Sequence, residues 1–116
     1  MEEYQAIRAL AALAHESRLR VFRLLAKKGP EGVPAGKIAE QLELPAATLS
    51  FHLKELLNAD LVTDRREGRS VFYSVNACNI KCFVAFLLED CCGGRPELCG
   101  PSCPPVARKP KQIRAH

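Results

Sequence analysis

The chain has 116 residues, enough for one domain with a single modest core and too few for a second. Hydrophobic residues make up 47% of it, yet no apolar run nears the roughly 18 residues of a membrane span. The net charge of +4 sits entirely after residue 92: residues 1–92 hold 12 Lys/Arg against 12 Asp/Glu, so bulk basicity is no argument for nucleic acid.

The opening Met1-Glu2-Glu3-Tyr4 is acidic where a secretory signal is basic, which predicts a cytoplasmic protein without a membrane partner. Residues 4–14 place Ile7, Leu10, Ala11 and Ala14 at helical spacing among small neighbours, a helix that a second helix can approach closely. A second helix is predicted from about Ser17 to Lys27, with Leu19, Phe22, Leu25 and Ala26 inward and Gly29-Pro30 ending it. His15 is expected to cap it or pack near its start. Residues 30–34 read as a loop, and Pro34 opens a short helix over 35–42 that buries Ile38, Ala39 and Leu42. After the turn Glu43-Leu44-Pro45, a longer helix over 46–59 carries Leu49, Leu53, Leu56 and Leu57 on its core side. Thr48, Ser50, His52, Lys54 and Glu55 are its polar groups on the other side.

Two strands follow, over 61–65 and 70–75, around an Arg66-Glu67-Gly68-Arg69 turn in which Gly68 is expected at positive φ. Val71, Tyr73 and Val75 alternate onto one face. The last helix, about 79–90, is apolar nearly all round, more than one domain face can bury, which predicts a partner subunit. From Gly93 onward the chain is rich in proline and glycine, with no periodicity. The division is therefore a domain over 1–92 and an effector-binding, basic tail over 93–116.

The fold class is mainly α with a small β-hairpin: a homodimeric winged helix-turn-helix of about five helices and a two-stranded wing. In that plan the second helix of the pair enters the major groove of double-stranded DNA and the hairpin lies along the backbone. Thr48, Ser50 and His52 are short donors suited to phosphates or base edges, and Lys54 can pair with a phosphate. Arg65, Arg66 and Arg69 gather at the hairpin tip, within reach of phosphates or the minor groove.

Ala39-Glu40-Gln41-Leu42, Ala47 through Leu56, Ala59-Asp60-Leu61-Val62, Arg66-Glu67-Gly68-Arg69 and Tyr73 together resemble the ArsR/SmtB family of metal-responsive repressors. The Leu-Ser-x-His-Leu-Lys-x-Leu segment is the most specific part, and the resemblance covers about residues 5–90. It implies a homodimer joined through the first and last helices, bound to an operator and released by an effector. Asp60 stands where the family usually has glycine, and Ser17 where proline or threonine is usual. The Cys-x-Cys pair common in the family's first helix of the motif is missing from Lys37–Leu42, as is the His/Asp zinc set of the last helix.

Effector binding therefore falls to the cysteines present. Four of the six, Cys91, Cys92, Cys99 and Cys103, crowd into thirteen residues, and Gly93-Gly94 lets the chain turn back over the first pair. Cytosolic thiols are kept reduced, so a disulfide scaffold is not expected. Thiolates without a histidine or carboxylate set suit a soft ion: As(III) or Sb(III) on Cys91, Cys92 and Cys99, with Cys103 as spare or alternative third ligand. Cadmium, lead or zinc sensing, or a disulfide that senses oxidants or reactive sulfur, are the alternatives. Cys78 and Cys82, one helical turn apart, read as helix packing more readily than as a second ion site. Glu89-Asp90 and a helix C-terminus oppose thiolate formation at Cys91 and Cys92, which argues against a thiol enzyme.

Overall fold

The computed structural model describes residues 1–89. The predicted end of the last helix at Asp90, the tail over 93–116 and Cys91, Cys92, Cys99 and Cys103 lie outside the described residues. Five helices and three strands run in the order α1 (Glu3–Leu13), α2 (Glu16–Lys28), β1 (Val33–Pro34), α3 (Ala35–Leu42), α4 (Ala46–Asn58), β2 (Val62–Glu67), β3 (Ser70–Val75) and α5 (Ala77–Leu88). This is a winged helix-turn-helix, with α3 and α4 as the helix pair and β2–β3 as the wing.

The core is built where helical periodicity stacks apolar side chains on one face. Val21 and Leu25 of α2, Ile38 of α3, and Leu49, Leu53 and Leu56 of α4 meet Leu61 and Val62 at the entry to the wing. The inward line of α2 corrects the sequence expectation: Leu19 and Ala26 are exposed, and the buried pair is Val21 and Leu25, four apart on one face. In α1 the buried residues are the alanines Ala6, Ala9 and Ala12, which lets α1 lie close to its neighbours. Its larger apolar residues Tyr4, Ile7 and Leu10 form an exposed stripe with steps of three.

Both helices of the motif end in the left-handed region without a glycine. Glu43 (φ 55°) follows α3 and Asp60 (φ 61°) follows α4. The Leu61 N–H reaches back to Leu56 O at 3.0 Å and the Asp60 N–H to Leu57 O at 2.9 Å, which satisfies the last carbonyls of α4. An aspartate tolerates this conformation, so the departure at residue 60 leaves the turn intact.

The sheet has three strands rather than the expected two, in the order β1-β3-β2. Val33 pairs with Tyr73 and Pro34 with Phe72, antiparallel. Two residues carry no readable alternation, and Pro34, with no N–H to donate, is confined to an edge strand. Gly32 precedes β1 at φ 82°, where a Cβ would stand 3.0 Å from Tyr73 O, so only glycine lets this edge approach β3. The wing itself closes in register Glu67↔Ser70, with Gly68 (φ 62°) and Arg69 as a two-residue turn. Glycine at positive φ in the first turn position matches the twist of a hairpin.

Candidate nucleic-acid interface

Burial on α4 separates its two sides. Leu49, His52, Leu53 and Leu56 face the core, so the opposite side is the line Ala47, Phe51, Lys54 and Asn58, with Ser50 and Thr48 on its flanks; all six are exposed. No side chain caps the start of α3 or α4, where Pro34 and Pro45 stand. The first-turn amides of both helices are therefore open to an acceptor such as a phosphate oxygen. Ser50 shares a shallow depression of about 260 Å³ with Gly36, Ala46 and Tyr73, which brings the starts of both helices beside the wing. Burial, with the Asp64 carboxylate, pushes the Tyr73 phenol above its usual range, so it stays a neutral hydrogen-bonding group.

His52 is the clear departure from the sequence expectation. Its polarity groups it with the exposed residues of α4, but it is only 5% exposed. Three residues past Leu49 and four before Leu56, it belongs to the core side. The alternation 48, 50, 52, 54 has the period of a strand, not of a helix. Its ring centroid lies 4.6 Å from that of His15, whose Nδ1 accepts the Ser17 N–H at 3.1 Å and caps α2 as expected. Arg18 Nη1 stands 3.5 Å from His52 Nδ1, while its Nε donates to Ala12 O at 2.8 Å. Burial first, then His15 and Arg18, hold the His52 pKa below its ordinary 6.5, with Glu55 opposing weakly.

This burial makes stability pH-dependent. Above about pH 6.5 the ring is neutral in both folded and unfolded chains, and nothing is lost. Below it the unfolded chain takes up a proton that the folded ring resists, so stability falls with acidification. His52→Gln is expected to flatten that acid slope in urea midpoints measured over the range from about pH 7.5 down to about 5.5. An unchanged slope would show that His52 is not the group responsible.

The exposed aromatic on the outer line of α4, Phe51, escapes the sequence reading because it resembles one more apolar residue of a core helix. It is 55% exposed, with the Arg18 guanidinium 5.9 Å from its ring centroid. The signal is nevertheless present: position 51 is four past Ala47 and three before Lys54, opposite the leucine face.

The three wing arginines divide. Register puts Asp64, Arg66, Val71 and Tyr73 on one face of the hairpin, and Arg65, Glu67, Ser70 and Phe72 on the other. Arg65 is committed within the fold: Nε donates to Glu67 Oε2 at 2.8 Å and Nη2 to Glu31 O at 3.1 Å, with the guanidinium 5.1 Å from the Phe72 ring centroid. Among the described residues Arg66 and Arg69 have no ion-pair or hydrogen-bond partner, and both are exposed. Arg66 lies on the face of Tyr73, which borders α4. Thr48, Ser50, Lys54, Arg66 and Arg69 are thus open to a ligand, whereas His52 is buried and Arg65 is occupied.

At its far end α4 is tied to α1 and to the start of α5. Asn79 Nδ2 donates to Asp60 O at 2.9 Å, the Asn76 N–H donates to Leu61 O at 3.0 Å, and an Arg8 guanidinium N–H meets Asn58 O. Cys78 and Cys82, expected as packing residues, are both free and exposed. No group of three or more His, Cys, Asp or Glu able to hold a metal ion occurs among the described residues, and none of their helices is long and apolar enough to cross a membrane.

Residues 13–65 match the family model of a helix-turn-helix domain. The chain is similar to the transcriptional activator HlyU of Vibrio cholerae, 31% identical over 72% of this chain and 74% of that one. It is 35% identical to the arsenical resistance operon repressor of Bacillus subtilis, over 56% of this chain and 60% of the repressor. Among solved structures it resembles a homodimeric winged helix-turn-helix DNA-binding domain from Mycobacterium bovis, a possible ArsR-family regulator. The TM-score is 0.61, with 27% identity across 79% of this chain and 83% of that one. These relatives are transcriptional regulators, not enzymes.

Proposed function

Because the chain belongs to the ArsR family of winged helix-turn-helix transcriptional regulators, we propose that it is a homodimeric repressor of a metalloid-resistance operon. In this reading it leaves its operator when As(III), or alternatively Sb(III), binds the tail thiolates of Cys91, Cys92 and Cys99 or Cys103. The observation that carries the DNA-binding half is the open side of α4 beside two wing arginines that have no partner among the described residues. A groove-entering helix needs short polar groups and free amides, and a wing needs free cations for phosphates.

Dimerisation is supported by the apolar surface left uncovered. Tyr4, Ile7 and Leu10 on the first helix and Val84 on the last are exposed, and an unpartnered stripe of that kind is a contact surface. The effector half rests on donor chemistry: four clustered thiols with no histidine among them favour a soft, thiol-seeking ion over zinc. In a dimer the two recognition helices must span successive major grooves. The bonds from Asn79 and Asn76 to the turn after α4 give a displacement of α5 a direct mechanical route to that helix.

The test is fluorescence anisotropy of the reduced protein on its own upstream promoter DNA, titrated separately with arsenite, antimonite, cadmium, zinc and a mild oxidant. Release by arsenite or antimonite supports the proposal, and release by oxidant alone moves the tail to redox sensing. Absence of binding to that DNA overturns the repressor reading. Cys91→Ser with Cys92→Ser is expected to keep operator binding and lose release by arsenite. Release that persists in this variant rules out the tail site.

A further inference from the structure

The two cysteines of α5 are not part of the tail cluster, and their geometry suits a different ligand. Cys78 and Cys82 are four residues apart on one helix, so they stand one above the other, with Cβ atoms about 5–6 Å apart. A disulfide needs Cβ atoms about 3.5–4.5 Å apart, which α5 could reach only by unwinding its first turn. A single soft atom, with bonds to sulfur of about 2.3 Å as for zinc thiolates, spans the pair with the helix intact. Both thiols are free and exposed, and no third histidine, cysteine or carboxylate joins them among the described residues. The pair thus offers two thiol donors and, among the described residues, no third.

Helical rotation also keeps the pair accessible. Phe83 is the buried residue of α5, with Ile80 and Phe86 partly buried beside it. The exposed apolar residues Val84, Leu87 and Leu88 lie on one flank, whereas Cys78 and Cys82 lie on the other, shared with Lys81 and Ala85.

We propose that Cys78 and Cys82 form a second thiol site, independent of the tail, that takes a trivalent arsenical carrying one organic group. Such a compound, R–As(OH)₂, has two exchangeable positions. Two As–S bonds form and two As–OH bonds break, the thiol protons leave in two waters, and arsenic stays trivalent throughout. Inorganic arsenite, with three positions to fill, gains no third donor here. The adduct would staple the first turn of α5, beside the Asn79 bond to Asp60.

The experiment uses the full chain with Cys91, Cys92, Cys99 and Cys103 all replaced by serine, so the result does not depend on the tail reading. The reduced protein is titrated with phenylarsine oxide and followed by intact mass, by labelling of residual thiols and by far-UV circular dichroism. One phenylarsine per chain, both thiols blocked and helix content unchanged is the expected result. Adding Cys78→Ser or Cys82→Ser should weaken retention against a competing dithiol by roughly a hundredfold or more, the advantage that two linked bonds hold over one. No uptake, two phenylarsines per chain, an adduct that bridges two chains, or retention unchanged in the single-thiol variants would each overturn the site. Failure of the tail proposal would show separately, as arsenite-insensitive operator binding in the chain with all its cysteines.

Discussion

Replacing Arg66 and Arg69 together with alanine is expected to weaken operator binding on the order of a hundredfold in a two-winged dimer, with thermal stability unchanged. Both guanidinium groups are exposed and neither has an internal partner among the described residues, so their removal disturbs nothing in the fold. Every phosphate that goes unneutralised should also flatten the salt dependence, by about 0.9 in the slope of log affinity against log salt. Two wings with two arginines each give a slope shallower by up to about 3.6. Arg65→Ala is the control. Its guanidinium is held by Glu67, Glu31 O and the Phe72 ring, so its removal should register mainly as a lower melting temperature. Equal weakening of binding for Arg65→Ala and for the pair, with no stability cost for Arg65→Ala, would show that the wing meets DNA with its other face.

Much of this architecture is legible in the sequence because the signals are local. The leucine spacing of α4, Gly68 at the hairpin tip and Gly29 after α2 mark elements whose ends fall within a residue or two of those observed. What is not legible depends on partners distant in the chain. Arg65 is occupied because Glu31, 34 residues earlier, presents a carbonyl to it. The short strand at Val33–Pro34 exists only because β3 lies beside it and Gly32 allows the approach. Glu43 holds a left-handed turn that nothing in its residue type announces, whereas at Asp60 the glycine usual in the family points to one. His52 is different, since its burial is implied by its place between Leu49 and Leu56. Polarity alone points it to the open side, whereas its position in the helix turns it toward His15 and Arg18. The division of the polar groups into open and committed sets is thus a property of the folded chain.

That division makes the second large effect a test of the two sides of α4. Leu56→Ala is expected to destabilise the domain by about 2–5 kcal/mol, because Leu56 is wholly buried and its truncation leaves a cavity the surrounding core fills only in part. Leu56 also supplies the carbonyl that accepts the Leu61 N–H where the chain turns from α4 into the wing. Loosening that junction should cost operator affinity as well, but through the population of folded protein. Lys54→Ala, two residues earlier on the exposed side, should do the reverse: a shallower salt dependence and weaker binding with an unchanged urea midpoint. Measuring both quantities for both variants separates DNA contact from scaffold. If Leu56→Ala lowered affinity under conditions where it is fully folded, the orientation of α4 would depend on this side chain beyond its contribution to stability. If Lys54→Ala destabilised the fold by more than about 0.5 kcal/mol, the side assigned to DNA would instead be a packing surface.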